Sequence, residues 1–190
     1  MKIINKAITL SLTSIAATAG ILSLSDRTAN AQQQYYYIQA RHSGQCLNVF
    51  NSGQQNGDNV VQGNGCNNAN FQWSLIPAER GYYYLKARHS GQCLNVLNRG
   101  QRNGDNVVQG YACDTANFQW ALIPTRNKYN YIEARHSGMC LNVLNSGVNN
   151  GDNVVQGNAC DNANFQWSLI PASNFRPHHS DYNYQNHRRF

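Results

Sequence analysis

"VVQGNGCNNANFQW", residues 60–73, decides how the rest of the chain is read. The stretch returns as "VVQGYACDTANFQW" at 107–120 and as "VVQGNACDNANFQW" at 154–167. The interval is 47 residues both times. A fixed period of this length marks a repeat architecture, in which one unit cannot bury its own apolar face and neighbours complete the core. Working outward, the repeated unit runs from Tyr37 to Pro77, Tyr84 to Pro124 and Tyr131 to Pro171, and units one and three agree at 34 of 41 positions. The linkers "AERGYY" and "TRNKYN" agree far less, which places them on the surface.

The local signals within a unit are all β. "YYYIQAR" alternates and reads as a strand, "HSG" as a tight turn, and "CLNV" as a second strand. "NSGQQNGD" is a longer connection whose Asn-Gly pair accepts positive φ. "NVVQG" and "FQWSLI" supply two more strands, the last closed by Pro77. Four strands in each of three units make twelve. A trefoil of hairpins closed about a pseudo-threefold axis fits that count and removes the sheet edges. A propeller needs at least four blades, and an open solenoid needs distinct capping repeats. Tyr37, Leu47, Val61, Phe71, Trp73 and Leu75, with their equivalents, are the expected shared core.

Six cysteines allow fifteen pairings. The periodicity groups them as Cys46/Cys66, Cys93/Cys113 and Cys140/Cys160, each pair twenty residues apart. A disulfide closing a loop of that size stabilises by about 3 kcal/mol in the chain-entropy model.

Cys-Leu-Asn-Val, then Val-Gln-Gly-x-x-Cys, then Ala-Asn-Phe-Gln-Trp, three times over, resembles the ricin B-type β-trefoil lectin family. That family's pattern reads C-[LV]-D-[VI], then [IV]-Q-x-[WY]-x-C, then N-Q-x-W. The resemblance spans residues 35–171 and implies an all-β trefoil that binds glycans or polysaccharide without catalysis. By motif position it implies sugar sites at Asn48, Gln62, Asn64 and Asn70 in unit one. In unit two the positions are Asn95, Gln109, Tyr111 and Asn117, and in unit three Asn142, Gln156, Asn158 and Asn164. The chemistry suits the ligand: amides offer donor and acceptor on one plane, and a ring covers the apolar C–H face of a sugar. Unit two alone places a ring, Tyr111, at the aromatic position. Two departures stand out. Asn48, Asn95 and Asn142 replace the family's aspartate and give up charge-assisted hydrogen bonds. Phe71, Phe118 and Phe165 replace the glutamine of Q-x-W. Asp58, Asp105 and Asp152 in "NGDN" read as turn formers.

"RHSGQCLNV" at 41–49 brings His42, Ser43 and Cys46 together and raises a catalytic alternative. No carboxylate stands nearby to orient a base, and a disulfide would consume the thiol. Three symmetric histidines, His42, His89 and His136, would ligate a metal only by meeting on the axis. A structural corner is the reading adopted, with no cofactor and no metal. A trefoil that binds another protein, such as a protease inhibitor, is the alternative, although no unit shows a distinctive protruding loop.

The ends differ from the units. Residues 1–31 carry Lys2 and Lys6, then the run "AITLSLTSIAATAGILSLS" and a small-x-small site at Ala29-Asn30-Ala31. They read as a signal peptide cleaved before Gln32, which implies a secreted protein, extracellular or periplasmic, with no membrane span after cleavage. Removing Lys2, Lys6 and Arg27 from 15 basic residues, and Asp26 from nine acidic ones, leaves twelve and eight, a net charge of +4. That charge is too diffuse to indicate nucleic acid. Residues 172–190, "ASNFRPHHSDYNYQNHRRF", lack an apolar period and read as a largely disordered basic and aromatic tail. The domain is therefore expected over residues 32–171, and nothing in the chain specifies its oligomeric state.

Overall fold

A computed structural model describes residues 33–175, so the expected signal peptide and nearly all of the expected tail lie outside the described residues. The described chain forms twelve strands. Unit one contributes β1 (Tyr36–Ala40), β2 (Cys46–Val49), β3 (Val60–Gly63) and β4 (Gln72–Pro77). Unit two contributes β5 (Tyr83–Ala87), β6 (Cys93–Val96), β7 (Val107–Gly110) and β8 (Gln119–Pro124). Unit three contributes β9 (Asn130–Ala134), β10 (Cys140–Val143), β11 (Val154–Gly157) and β12 (Gln166–Pro171). Single 3₁₀ turns are the only helical pieces among the described residues.

Six strands close a barrel. β1 pairs with β4, β4 with β5, β5 with β8, β8 with β9, β9 with β12, and β12 returns to β1 in register Tyr36↔Pro171 to Ala40↔Trp167. The other six form three hairpins, β2–β3, β6–β7 and β10–β11. Between these hairpins, Asn59, Asn106 and Asn153 form a cyclic triangle in which each Nδ2 donates to the next Oδ1 at 2.6 Å. This is the β-trefoil the repeat count called for.

The central core holds Ile38, Ala40, Leu47, Val49, Val60 and Trp73 with their equivalents, and Leu75 packs against it half-buried. Each tryptophan is fully buried and donates Nε1–H to the backbone of its own hairpin, Trp73 to Leu47 O at 3.0 Å. Three expected core residues sit elsewhere. Tyr37 and Phe71 pack outside the barrel against the Cys46–Cys66 disulfide, and Val61 lies on the outer face while Val60 points inward. The cause is the pleat. Tyr37–Ile38 and Val60–Val61 are adjacent apolar pairs, so alternation does not say which member faces the core. Ala172 and Phe175 extend the packing beyond Pro171, with the Phe175 ring 4.5 Å from that of Tyr37. The three cysteine pairs join as the periodicity grouped them.

The Arg-His-Ser-Gly corner is a latch between units. His42 Nε2 donates to Gly147 O at 2.7 Å, His89 to Gly53 O at 2.8 Å and His136 to Gly100 O at 2.7 Å. A carbonyl only accepts, so Nε2 carries the proton. The three rings bond three different loops rather than converging on one point. Arg41 Nη1 bonds Gln166 Oε1 at 2.7 Å while its guanidinium lies 5.2 Å from the centre of the Tyr129 ring. Ser43 Oγ donates to Gln62 Oε1 at 2.7 Å, and Gln62 Nε2 donates to Gly147 O at 2.9 Å and Asn149 O at 3.1 Å. Each unit thus holds the loop of another, in a closed cycle of three.

Truncating one such glutamine removes several buried bonds and leaves acceptors without donors, at a cost of about 1–3 kcal/mol for an unsatisfied group. Gln109→Ala is expected to lower unfolding free energy by roughly 2–3 kcal/mol in urea titrations. A loss below about 0.5 kcal/mol, the range of ordinary surface changes, would contradict the latch.

Candidate functional site

The outer face of each hairpin carries the amides. On β2, Leu47 and Val49 point into the core, so Cys46 and Asn48 point outward. The register sets Leu47 opposite Gln62 and Asn48 opposite Val61. Directly paired residues share a face. Gln62, Gln109 and Gln156 therefore lie on the inner face, fully buried, with their amides engaged in the latch. The fold does not bring them to Asn48, Asn95 and Asn142.

It does bring Asn48 and Asn70 together. Asn48 Nδ2 donates to Val61 O at 3.3 Å, Asn70 Nδ2 donates to Val49 O at 3.2 Å, and the two side chains meet at 3.5 Å. Asn95 and Asn142 make the matching bonds to Val108 O and Val155 O, both at 3.2 Å. Asn117 and Asn164 make theirs to Val96 O at 3.4 Å and Val143 O at 3.3 Å. All six amides are largely buried and spend their Nδ2 on backbone. Among the described residues no protein donor reaches Asn95 Oδ1 or Asn142 Oδ1, which leaves those acceptors for a ligand hydroxyl or water. In unit two Thr115 Oγ1 donates to Asn117 Oδ1 at 2.7 Å, a contact made by a residue that is asparagine in the other units.

A further residue completes each site from a different unit. Asn150 Oδ1 accepts from the backbone N–H of Asn64 at 3.2 Å, Asn56 Oδ1 from Tyr111 at 3.3 Å and Asn103 Oδ1 from Asn158 at 3.2 Å. A Cβ placed on Gly110 would lie 2.8 Å from Asn95 Nδ2, 3.0 Å from Phe118 Cε1 and 3.1 Å from Asn56 Oδ1. Amide, ring edge and amide converge on one backbone position that only glycine leaves open. Gly63 is crowded in the same way, and Gly157 by Asn142 Nδ2 and the Phe165 ring edge. Phe71, Phe118 and Phe165, which stand where the family's glutamine would, put their ring edges against these glycines. Asn64, Tyr111 and Asn158 follow directly and are exposed, Tyr111 at 67%.

Sequence reasoning treated "NGDN" as turn chemistry, and for Asp58 that holds: Oδ2 accepts from the Gln55 N–H at 2.6 Å. It missed Asn56, Asn103 and Asn150. Their sequence signal is invariance across all three units at an exposed position. The cluster of Glu133, Cys140 and Cys160 has metal-like spacing, but its sulfurs are consumed in a disulfide.

Three hairpin units closed on a six-stranded barrel, each with an amide cluster on its outer face, define a lectin-type β-trefoil. The chain belongs to the ricin-type β-trefoil lectin domain-like family, whose model matches residues 23–110, 76–157 and 116–184. Among solved structures it is similar to ThreeFoil, a designed threefold-symmetric protein, at 40% identity and a TM-score of 0.70, over 72% of this chain and 97% of that one. It shares its fold with the Rhizoctonia solani agglutinin at 19% identity and a TM-score of 0.66, over 73% and 95% of the two chains. An exo-β-1,3-galactanase of Clostridium thermocellum has the same fold in part: 22% identity, a TM-score of 0.71, 75% of this chain and 31% of that one. Among curated proteins, no sequence matches.

Gly110→Ala is expected to overpack the unit-two cluster at a cost of about 1–3 kcal/mol. Side-chain amide signals of Asn56 and Asn95 should move in a ¹H–¹⁵N spectrum while those of Asn103 and Asn142 stay put. Unchanged Asn56 and Asn95 signals would show that the three groups do not converge there.

Proposed function

We propose that the protein is a secreted, non-catalytic carbohydrate-binding protein with three related sites, one on each hairpin unit. The observation that carries this reading is the thrice-repeated packing of asparagine amides against a glycine that has no room for a side chain, with an exposed residue at the rim. Planar amides match vicinal hydroxyls, which both donate and accept. Free amide acceptors suit the hydroxyls of an uncharged sugar better than an anion, and no lysine or arginine stands among the clustered side chains. The lectin fold shared with the Rhizoctonia solani agglutinin supports the same class of ligand.

Of the residues expected from the motif, Asn48, Asn95 and Asn142 with Asn70, Asn117 and Asn164 form the floor, and Asn64, Tyr111 and Asn158 form the rim. Gln62, Gln109 and Gln156 act at one remove, by fixing the loops that bring Asn150, Asn56 and Asn103. Disulfides in every unit fit an oxidising compartment, and no helix among the described residues is long and apolar enough to cross a membrane. An exposed rim covers little of a ligand, so single-site affinity is expected to be weak, with useful retention depending on several sites engaging one glycan-bearing surface. The histidines and serines of the corner are engaged in bonds to neighbouring loops and to Gln62, Gln109 or Gln156, which supports a structural role for them.

The test is retention of the oxidised protein on immobilised glycans, followed by Tyr111→Ala. Taking a ring on a sugar face at the value of an aromatic pair, about 0.5–1.5 kcal/mol beyond burial, affinity at unit two should fall roughly fivefold. Asn64→Ala should change retention less. No retention on any glycan tested would overturn the reading.

A further inference from the structure

We infer that Phe50, outside the family motif, supplies the ring of the unit-one site, so that units one and two bind sugar with aromatic faces from opposite ends of the hairpin. The inference rests on the carbohydrate reading above and deepens it.

Comparison of the three units locates the residue. Twelve of the 41 unit positions differ among the copies, and most of these lie in the loops around the hairpin rather than in the barrel. Two of the differences are aromatic. One is Tyr111, against Asn64 and Asn158. The other is Phe50, against Leu97 and Leu144. Each aromatic stands in a different unit, and unit three has neither.

Phe50 is held in solvent by its backbone. It follows β2, in which Asn48 faces outward, so the next outward position is residue 50. The residue is 49% exposed. The two residues after it, Asn51 and Ser52, both adopt left-handed conformations, at φ 51° and 54°. Such conformations cost non-glycine residues of order 1 kcal/mol or more and persist where the surroundings impose them. Here the Gly53 N–H returns to Phe50 O at 3.0 Å, and the Phe50 N–H bonds Asn59 O at 2.9 Å. The turn is therefore locked at both sides of the ring.

The ring also reaches the loop that carries Asn150. A Cβ placed on Gly151 would lie 3.9 Å from Phe50 Cε2. Gly151 follows Asn150, whose Oδ1 caps Asn64 and crowds Gly63. The corresponding Gly57 and Gly104 have open space, since leucine at 97 and 144 does not extend that far. Residue 50 adjoins the end of β2, and residue 64 the end of the antiparallel β3. Asn48 and Asn150 lie between them. A sugar on this floor meets a ring at the β2 end in unit one and at the β7 end in unit two. Stacking from opposite ends presents different hydroxyls to the amides, which makes the two sites differ in epimer preference.

The experiment titrates the oxidised, full-length protein with methyl glycosides of galactose, N-acetylgalactosamine, glucose, N-acetylglucosamine and mannose. Side-chain amide signals report each site: Asn150 for unit one, Asn56 for unit two, Asn103 for unit three. Phe50→Leu, which copies the residue of the other units, should weaken the unit-one response about fivefold and leave unit two unchanged. Leu144→Phe should strengthen the unit-three response by a similar factor, a gain that a merely structural ring would not give. An unchanged unit-one response in Phe50→Leu, or no gain in Leu144→Phe, overturns the inference while leaving the unit-two site standing. Silence at all three sites with every glycoside overturns both the inference and the carbohydrate reading.

Discussion

Three half-buried carbonyl groups, those of Gly53, Gly100 and Gly147, each accept two side-chain hydrogen bonds from another unit. Gly147 O receives His42 Nε2 at 2.7 Å and Gln62 Nε2 at 2.9 Å. Gly53 O receives His89 and Gln109, and Gly100 O receives His136 and Gln156, within 0.1 Å of the same distances. Both acceptor lone pairs are filled, and the fully buried glutamine has no water to fall back on. The loop carrying the carbonyl is itself set beforehand. The Asp152 carboxylate sits 2.2 Å from where a Gly147 Cβ would be, so glycine is required, and Asp152 Oδ2 accepts the Asn149 N–H at 2.7 Å. Because the donors of each unit serve a loop of another, satisfaction of any one latch requires its neighbour in place. The cycle closes only when all three are present, and the β1–β12 pairing, which joins the two ends of the domain, belongs to the same closure.

Site geometry is inherited from this closure. Asn150 can cap Asn64 because its loop is pinned through Gly147, Asn149 and Asp152 to β3 and the corner before β2. The Gln62 N–H bonds Asp152 O at 2.9 Å, and the Gly151 N–H bonds Gln62 O at 2.9 Å, so the loop runs along the free edge of β3 as a short added strand. The same glutamine that motif position assigned to sugar binding is fully buried here and fixes the loop that carries Asn150. Latch residues are accordingly invariant among the units, apart from Met139, which stands where Gln45 and Gln92 bond the loop carbonyls of Val148 and Gln54.

Fold class was legible because it depends on quantities a sequence displays: period, strand alternation, tryptophan spacing and cysteine intervals. The trefoil, the within-unit disulfides and the structural role of the Arg-His-Ser-Gly corner all follow from these. Register was not displayed. Val60–Val61 and Tyr37–Ile38 offer two apolar candidates for one inward position, and only pairing across the barrel selects Val60 and Ile38. The same ambiguity hid the placement of Gln62, since a residue opposite Leu47 faces inward and one opposite Asn48 faces outward. Asn56, Asn103 and Asn150 were hidden for a second reason. Their partners lie in other units, up to 86 residues away along the chain, and local pattern carries no information on that contact.

The rim is where the units diverge, and its construction explains why divergence is tolerated. Asn64, Tyr111 and Asn158 differ in size and chemistry, yet each donates its backbone N–H to the asparagine of another unit at 3.2–3.3 Å. Two residues further on, Cys66, Cys113 and Cys160 are bonded to Cys46, Cys93 and Cys140 at the start of the adjoining strand. The backbone at the rim is thus clamped from both directions without using the side chain of residue 64, 111 or 158. In unit one the clamp is tightened again, because Ala172 and Phe175 cover the disulfide from outside. A side chain freed from any structural duty and presented on a backbone held by these bonds can be exchanged at little cost in stability. Exchange there alters what the site contacts while the barrel and its latches remain as they are.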